Sequence, residues 1–154
     1  MNNYSNANLE TLKKDLDKTI EECKKLIEHL KTTPEVKLDH FNNIESMIYD
    51  LSGRVAFLGD VHPEENIRNF GNEADSKIQN FALEIFNDSN LYKKYNDIDI
   101  SNLDEEDLTF YKDLGLDFKD AGHELSKEKK ERLIEIEKKL IGLGISFSEN
   151  IAKD

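Results

Sequence analysis

Apolar and polar residues alternate along the chain with the period of an amphipathic α-helix. The first apolar stripe has steps of three and four residues, which places its members on one helical face. This helix is predicted to end at Thr32–Thr33, because the residue before Pro34 avoids the α conformation. The stripe consists of Leu9, Leu12, Leu16, Ile20, Cys23, Ile27 and Leu30.

A second and a third stripe follow with the same period. The second stripe runs from Leu38 to Leu58, and Gly59 is predicted to end its helix in the left-handed cap conformation. The next helix is predicted to start with Pro63 in its first position, where the missing N–H costs nothing. The inward residues of this third helix are predicted to be Ile67, Phe70, Ala74, Ile78, Phe81 and Ile85.

The second half of the chain contains a polar break at 87–90, a short apolar turn, a loop and two further helices. One helix is predicted from Leu103 to Ala121 with Gly122 as its stop, and the last helix is predicted to have Ser126 as its N-cap. Five or six helices with short connections predict an all-α fold, an antiparallel bundle. The inward residues of the last helix are predicted to be Leu133, Ile136, Leu140, Leu143, Phe147 and Ile151.

Several glycines fall inside the predicted helices, where each costs about 1 kcal/mol relative to alanine. We expect them to mark close helix crossings or local bends, and a hinge is the alternative. They are Gly53, Gly71, Gly115, Gly142 and Gly144.

Length and charge narrow the function classes. With 154 residues, 33 acidic and 21 basic, the chain carries a net charge of −12, which disfavours binding to a nucleic-acid backbone. Cys23 is the only cysteine, and the N-terminal residues 1–6 carry neither the basic nor the apolar part of a signal peptide. The apolar runs are too short to span a bilayer. We therefore expect a cytoplasmic protein without a membrane or nucleic-acid partner.

The histidines do not form a metal-binding pattern. No two of them lie four residues apart, so the HExxH motif of zinc proteases is absent from the chain. Asp120 and His123 have a usable spacing, but Gly122 interrupts the helix between them. We expect no metal ligand and no catalytic residue in this chain. The four histidines are His29, His40, His62 and His123.

Two other chemical patterns also fail. The segment 97–101 begins like an EF-hand loop, but Asn102 and Leu108 stand where the turn glycine and the bidentate glutamate belong, so a polar loop is expected. Cys23 lies on an apolar stripe, which is typical of an inert core thiol. The aromatic residues recur at helical spacing and are predicted to be core: Phe41, Phe70, Phe81, Phe110, Phe118 and Phe147.

Two stretches of the chain carry a distinctive pattern of fixed polar, glycine and proline positions. The first is VHPEENIR over 61–68, followed by NEADSKIQNF over 72–81 and NLY over 90–92. The second is FKDAGHEL over 118–125, followed by the apolar stripe of the last helix and Asn150. Over residues 40–154 this pattern resembles the N-terminal helical region of the thimet-oligopeptidase-like zinc metallopeptidases. The matching positions are Pro63, Arg68, Glu73, Gly122, Leu140, Phe147 and Asn150.

The resemblance implies a large helical enzyme in which two lobes enclose a channel for short peptides. It implies a zinc site, HExxH with a downstream glutamate, in a C-terminal part that the chain has not reached at Asp154. No catalytic or metal-binding residue is therefore carried over. We expect residues 1–34 to form an N-terminal amphipathic helix and residues 35–154 a bundle that continues the same domain.

Three functions remain open at this point. In the first, the chain is the N-terminal, non-catalytic part of a zinc oligopeptidase, one wall of the channel, and the zinc lobe comes from the same or a separate chain. The second is a free-standing helical interaction module without catalysis. The third, motivated only by the many acids, is a carboxylate metal binder. Arg68, Glu73 and His123 are polar positions of interest, and we expect each to be surface or helix-capping structure.

Overall fold

A computed structural model describes residues 8–151, and this part of the chain consists of helices and their connections, without a strand. Six helices have eight residues or more, and a π-helical turn and a single-turn helix join the second to the third of these. The prediction of an all-α bundle of five or six helices is thus confirmed. The elements are α1 (Leu9–Thr32), α2 (Leu38–Leu51), the π turn (Ser52–Ala56), α3 (Leu58–Val61), α4 (Glu65–Asn87), α5 (Ser89–Asn96), α6 (Glu105–Asp120) and α7 (Lys127–Ile151).

The predicted stripes of α1 and α4 form the centre of the core. All their members are buried except Leu9, which is partly buried. Cys23 is fully buried, and desolvation raises the pKa of its thiol, as expected of an unreactive core residue. Phe118 of α6 is the centre of an aromatic cluster with ring centroids 5.4–6.0 Å away. The rings around it belong to Phe41, Phe86, Tyr92, Tyr95 and His123.

The π turn replaces the regular end predicted for the second helix. The amide N–H of Phe57 donates to the carbonyl of Ser52 at 3.1 Å, a bond across five residues instead of four. Arg54 fastens this turn to α1, since its Nε donates to Asp15 at 3.1 Å. The chain then continues as α3, so the predicted stop at Gly59 is wrong: Gly59 lies inside α3 and is buried.

The start of α4 also differs from the prediction. The helix begins at Glu65 with Glu64 as its N-cap, so Pro63 precedes it and does not occupy the first helical position. The reason is an extended turn that Arg68 holds in place. Its Nη1 donates to the carbonyls of His62 and Pro63, both at 2.8 Å.

The largest difference concerns α7. Ile136, Leu140, Leu143 and Phe147 are exposed, by 42–67%, although the pattern predicts an inward stripe. The helix packs against α4, and in the described part of the chain its outer side is exposed to solvent. Phe147 is therefore not core, whereas Phe41, Phe70, Phe81 and Phe118 are buried as predicted. The side chain of Ile151 lies outside the described part.

The other boundaries follow the sequence pattern. Gly122, with φ of 81°, ends α6 in the conformation that favours glycine, and Ser126 directly precedes α7. Asp88 separates α4 from α5 and caps α5 through its carboxylate. In the described part of the chain, no helix is long and apolar enough to cross a membrane.

Candidate functional site

A groove runs beside α7. Its larger part is a cleft of about 680 Å³ between α4, α7 and the segment 49–60. A second cleft of about 420 Å³ continues it toward α6. Gln79, Leu140 and Ile141 line both clefts, so we treat them as one feature, the α7 groove.

The groove follows two antiparallel helices. Lys130 near the start of α7 donates to the carbonyl of Asn87 at the end of α4 at 3.1 Å. Farther along the groove, Gly144 of α7 and Asn72 of α4 line the larger cleft together. From Asn72 to Phe86 the α4 side of the groove is about 20 Å long at 1.5 Å per residue.

The larger cleft is open, and aromatic side chains are exposed along a lining that is partly apolar and partly polar. Tyr49 is 82% exposed and Phe57 is 56% exposed. A Cβ atom added to Gly53 or to Gly144 would meet nothing within 4 Å, so both glycines leave free space beside the backbone. Exposed aromatic rings and unfilled glycine positions are typical of a surface that receives another apolar segment.

The charged groups that line the groove all have the same sign. Among the described residues that line either cleft, none is a lysine or an arginine. The carboxylates are Asp60, Asp75, Asp117, Asp120 and Glu137.

Two of these carboxylates, and a neighbour, are partly buried. Desolvation, then the charges of Asp120 and Asp113, raise the pKa of Asp117, and desolvation raises the pKa of Glu137. On α2, burial together with the charge of Asp117 raises the pKa of Glu45 to about 7. One carboxylate oxygen each of Glu45 and Glu137 is buried without a hydrogen-bond partner in the described part. A cation placed beside these carboxyl groups would stabilise their charged form.

Sequence reasoning missed Glu45, Asp117 and Glu137, which it counted as part of a solvated acidic surface. A weak signal was present for two of them: Glu45 follows Ile44 and Asp117 precedes Phe118, and both neighbours belong to inward stripes.

The described residues do not fit a zinc site. The described part holds no group of three His, Cys, Asp or Glu side chains placed to bind a metal ion. His123, the candidate ligand beside Asp120, is engaged elsewhere: its Nε2 lies 2.7 Å from the Phe86 carbonyl, and its Nδ1 lies 3.2 Å from Lys130 Nζ. This geometry matches an imidazole that donates from Nε2 and accepts at Nδ1. Its ring stacks on Tyr92 at 4.4 Å, so His123 joins α4, α5 and α7.

The three polar positions of interest do not come together. Arg68 holds the turn before α4, and Glu73 is exposed on α4. His123 lies at the opposite end of α4 from Arg68. Segment 97–101 forms a local turn in which the Asp99 carboxylate accepts from the Ser101 amide at 2.9 Å.

Comparison with known proteins gives one informative result. No family model matches the chain. The chain is similar to a thimet-like oligopeptidase from Dictyostelium discoideum, with 28% identity over an alignment of 169 positions. This alignment takes in 94% of the chain, more than the residues 40–154 that carry the motifs, and 25% of the relative. The chain thus spans about a quarter of the length of the curated relative it matches.

Proposed function

We propose that this chain is the N-terminal, non-catalytic part of a zinc-dependent oligopeptidase and forms one wall of its peptide channel. The observation that carries the proposal is the similarity of nearly the whole chain to a quarter of a thimet-like oligopeptidase. The remaining three quarters of such an enzyme would supply the zinc-binding lobe.

The outer face of α7 is consistent with this role. Soluble monomers rarely leave a continuous apolar stripe in water, because each exposed apolar area forgoes the free energy of burial. Ile136, Leu143 and Phe147 form such a stripe. In the proposed enzyme this stripe packs against the lobe that binds zinc.

The residues present determine which role in the proposed enzyme is assigned to this chain and which to the zinc-binding lobe. The chain lacks HExxH, and its described part does not fit a metal site, so no hydrolytic step is assigned to it. Its contribution is shape: a rigid helical wall that limits which peptides reach the reacting centre. Short peptides and the zinc-binding lobe are its partners in this proposal, and the enzyme is cytoplasmic.

The free-standing interaction module is the second candidate. A module that acts alone as a monomer is expected to show no large exposed apolar patch. The exposed side of α7 therefore disfavours a module without a covering partner, and the similarity over 94% of the chain supports the oligopeptidase role.

A chimera tests the proposal. In the Dictyostelium relative, the matching quarter is replaced by this chain, and a truncated enzyme lacks that quarter altogether. Hydrolysis of internally quenched peptides of increasing length is measured for both. The chimera is expected to cleave short peptides and reject long ones, whereas the truncated enzyme loses activity or this length limit. Equal rates and equal length limits for the two proteins would contradict the wall role.

A matched pair of variants tests whether the outer face of α7 contacts the zinc-binding lobe. Leu143→Lys in the chimera places a charge in the proposed interface and is expected to reduce hydrolysis at least tenfold. Ile100→Lys makes the same change at an exposed apolar residue of the 97–104 loop and is expected to leave hydrolysis unchanged. In a second measurement, the chain and the remaining three quarters are expressed separately. They are expected to sediment as a 1:1 complex that Leu143→Lys disrupts.

A further inference from the structure

We propose that the α7 groove binds an amphipathic helix of a partner protein, with leucine-like side chains on its inner face and Lys or Arg along its flanks. This inference goes beyond the proposed function, because it names the chemistry of the occupant and stands whether or not the partner is a peptidase.

The length of the groove fits a helical occupant. About 20 Å of α4 lines it, which corresponds to a helix of about fourteen residues. Two antiparallel helices already form its sides, and a third helix laid between them completes the packing of a bundle. An extended peptide of the same length would leave its backbone N–H and C=O groups without strand partners, since the groove offers helices and no sheet edge.

The glycines indicate where the occupant approaches most closely. Gly53 lies in the π turn and Gly144 in α7, on two elements that line the larger cleft. Neither would contact anything within 4 Å through an added Cβ atom. Small residues let the backbones of packed helices come close, and here they leave that space unfilled within the chain.

Apolar anchors are available beside these glycines. Tyr49, Phe57 and Leu140 expose more than half of their side chains and line the same cleft. Aromatic residues of this kind contribute most of the binding free energy in many protein interfaces, provided that a partner covers them. An occupant with leucine or isoleucine side chains at helical spacing would bury them.

The negative charge of the groove favours an occupant that has basic residues on its flanks. Five carboxylates line it, and among its described lining residues no cation balances them. A second copy of this chain would bring a further net charge of −12 to the same place, so self-association through the groove is disfavoured. Basic flanks satisfy the carboxylates and also raise the association rate.

Desolvated carboxylates agree with a missing cation. The pKa values of Asp117 and Glu137 are raised, and one oxygen of Glu137 lacks a hydrogen-bond partner in the described part. An ammonium or guanidinium group nearby would reverse these shifts.

Model peptides test the proposal on the whole 154-residue chain. The probe is a labelled sixteen-residue helix with leucine on one face and lysine on the others. One control peptide has glutamate in place of lysine, and another has the same composition in a scrambled order that destroys the apolar face. By fluorescence anisotropy, the lysine peptide is expected to bind at least tenfold more tightly than either control, and more weakly in 0.5 M salt. Similar affinity for the glutamate peptide or the scrambled peptide would overturn the proposal.

Two variants of one helix locate the binding site. Gly144→Leu fills the groove and is expected to weaken binding of the lysine peptide at least tenfold. Gly142→Leu is the matched control, because this glycine also has open space around it but does not line the groove, and it is expected to retain affinity. Circular dichroism verifies that both variants remain helical. Equal effects of the two substitutions would contradict the site.

A second pair tests the charge. Asp117→Asn removes a groove carboxylate and is expected to weaken binding two- to fivefold, with a smaller salt dependence. Glu21→Gln removes an exposed carboxylate of α1 that does not line the groove and is expected to change neither. If sedimentation shows the chain forming a dimer that Gly144→Leu abolishes, the occupant is a second copy and the proposal is wrong.

Discussion

Gly59 of α3 and Gly71 of α4 contact each other backbone to backbone. A Cβ atom on Gly71 would overlap the amide nitrogen of Gly59, and the clash would be with backbone that cannot rotate away. This contact joins the turn of chain before α4 to α4 itself.

Gly71→Ala is therefore expected to destabilise the fold. Overpacking of this kind costs about 1–3 kcal/mol, and the better helix propensity of alanine returns only about 1 kcal/mol of it. Urea unfolding followed by circular dichroism at 222 nm measures the change. Gly142→Ala is the control, since its Cβ atom would meet nothing within 4 Å, and it is expected to stabilise the fold by up to about 1 kcal/mol. Shifts of the same sign for both would refute the close contact.

The exposure of α7 leads to a second prediction. Leu143→Ala is expected to change the free energy of unfolding by less than about 0.5 kcal/mol, because two thirds of the side chain is already in water. Leu114→Ala, at a position that is 1% exposed, is expected to cost about 2–5 kcal/mol. The same urea titration compares them. A similar cost at both positions would mean that α7 buries its stripe in solution.

Glu45 makes stability depend on pH. Its pKa is raised to about 7 in the folded chain, so the folded state holds the proton more tightly than the unfolded state. Stability from this group is complete below its ordinary pKa and is lost as the pH rises toward 7. Glu45→Gln is expected to stabilise the fold by about 1 kcal/mol at pH 8, a value reduced for the part of the side chain that stays in water, and to have little effect at pH 4.5.

Unfolding at both pH values tests the Glu45 prediction. Glu21→Gln removes an exposed carboxylate and serves as the control. An equal gain from Glu45→Gln at pH 4.5 and pH 8 would show that its carboxyl is not the origin of the effect.

His123 is expected to act in the opposite direction. Desolvation is the largest cause that lowers its pKa, and Lys130 lowers it further, so the folded state favours the neutral ring. Its contribution is present above the ordinary histidine pKa and is lost as the pH falls through the lowered value. His123→Gln is expected to cost about 1–2 kcal/mol at pH 8, from the Tyr92 stack and the Phe86 hydrogen bond, and less at pH 5. His29→Gln, at an exposed position, is the control and is expected to change little at either pH.

Periodicity predicted most of the fold because a helix that buries one face carries apolar residues at steps of three and four, and this spacing is visible in the sequence. The stripes of α1 and α4 lie where that spacing places them, and Gly122 ends α6 in the conformation that its lack of a Cβ atom allows. The same spacing is misleading for α7. An apolar stripe predicts that a helix face is covered, but it does not show which part of a protein covers it. The position of Pro63 depends on hydrogen bonds from Arg68, a contact that periodicity does not contain.

The candidate site was far less accessible to sequence reasoning. The α7 groove is built from segments of α2, α4, α6 and α7 that lie far apart in the chain. The sequence alone does not distinguish an Asp117 on a solvated surface from an Asp117 beside another carboxylate. Only the fold buries Asp117 and brings it near Glu45, and this burial, followed by the neighbouring carboxylates, raises the pKa values of Asp117 and Glu45.

The π turn at Ser52–Ala56 is a place where related chains can differ in length by one residue. It accommodates one residue more than an α-helical turn between the same hydrogen-bonded ends. A relative that lacks this residue could keep both flanking helices and would simply close the turn as an ordinary α-helix. When homologous sequences are aligned with this one, a gap of one position between Leu51 and Phe57 would thus mark a local change of winding, and the helices on either side would remain comparable residue by residue.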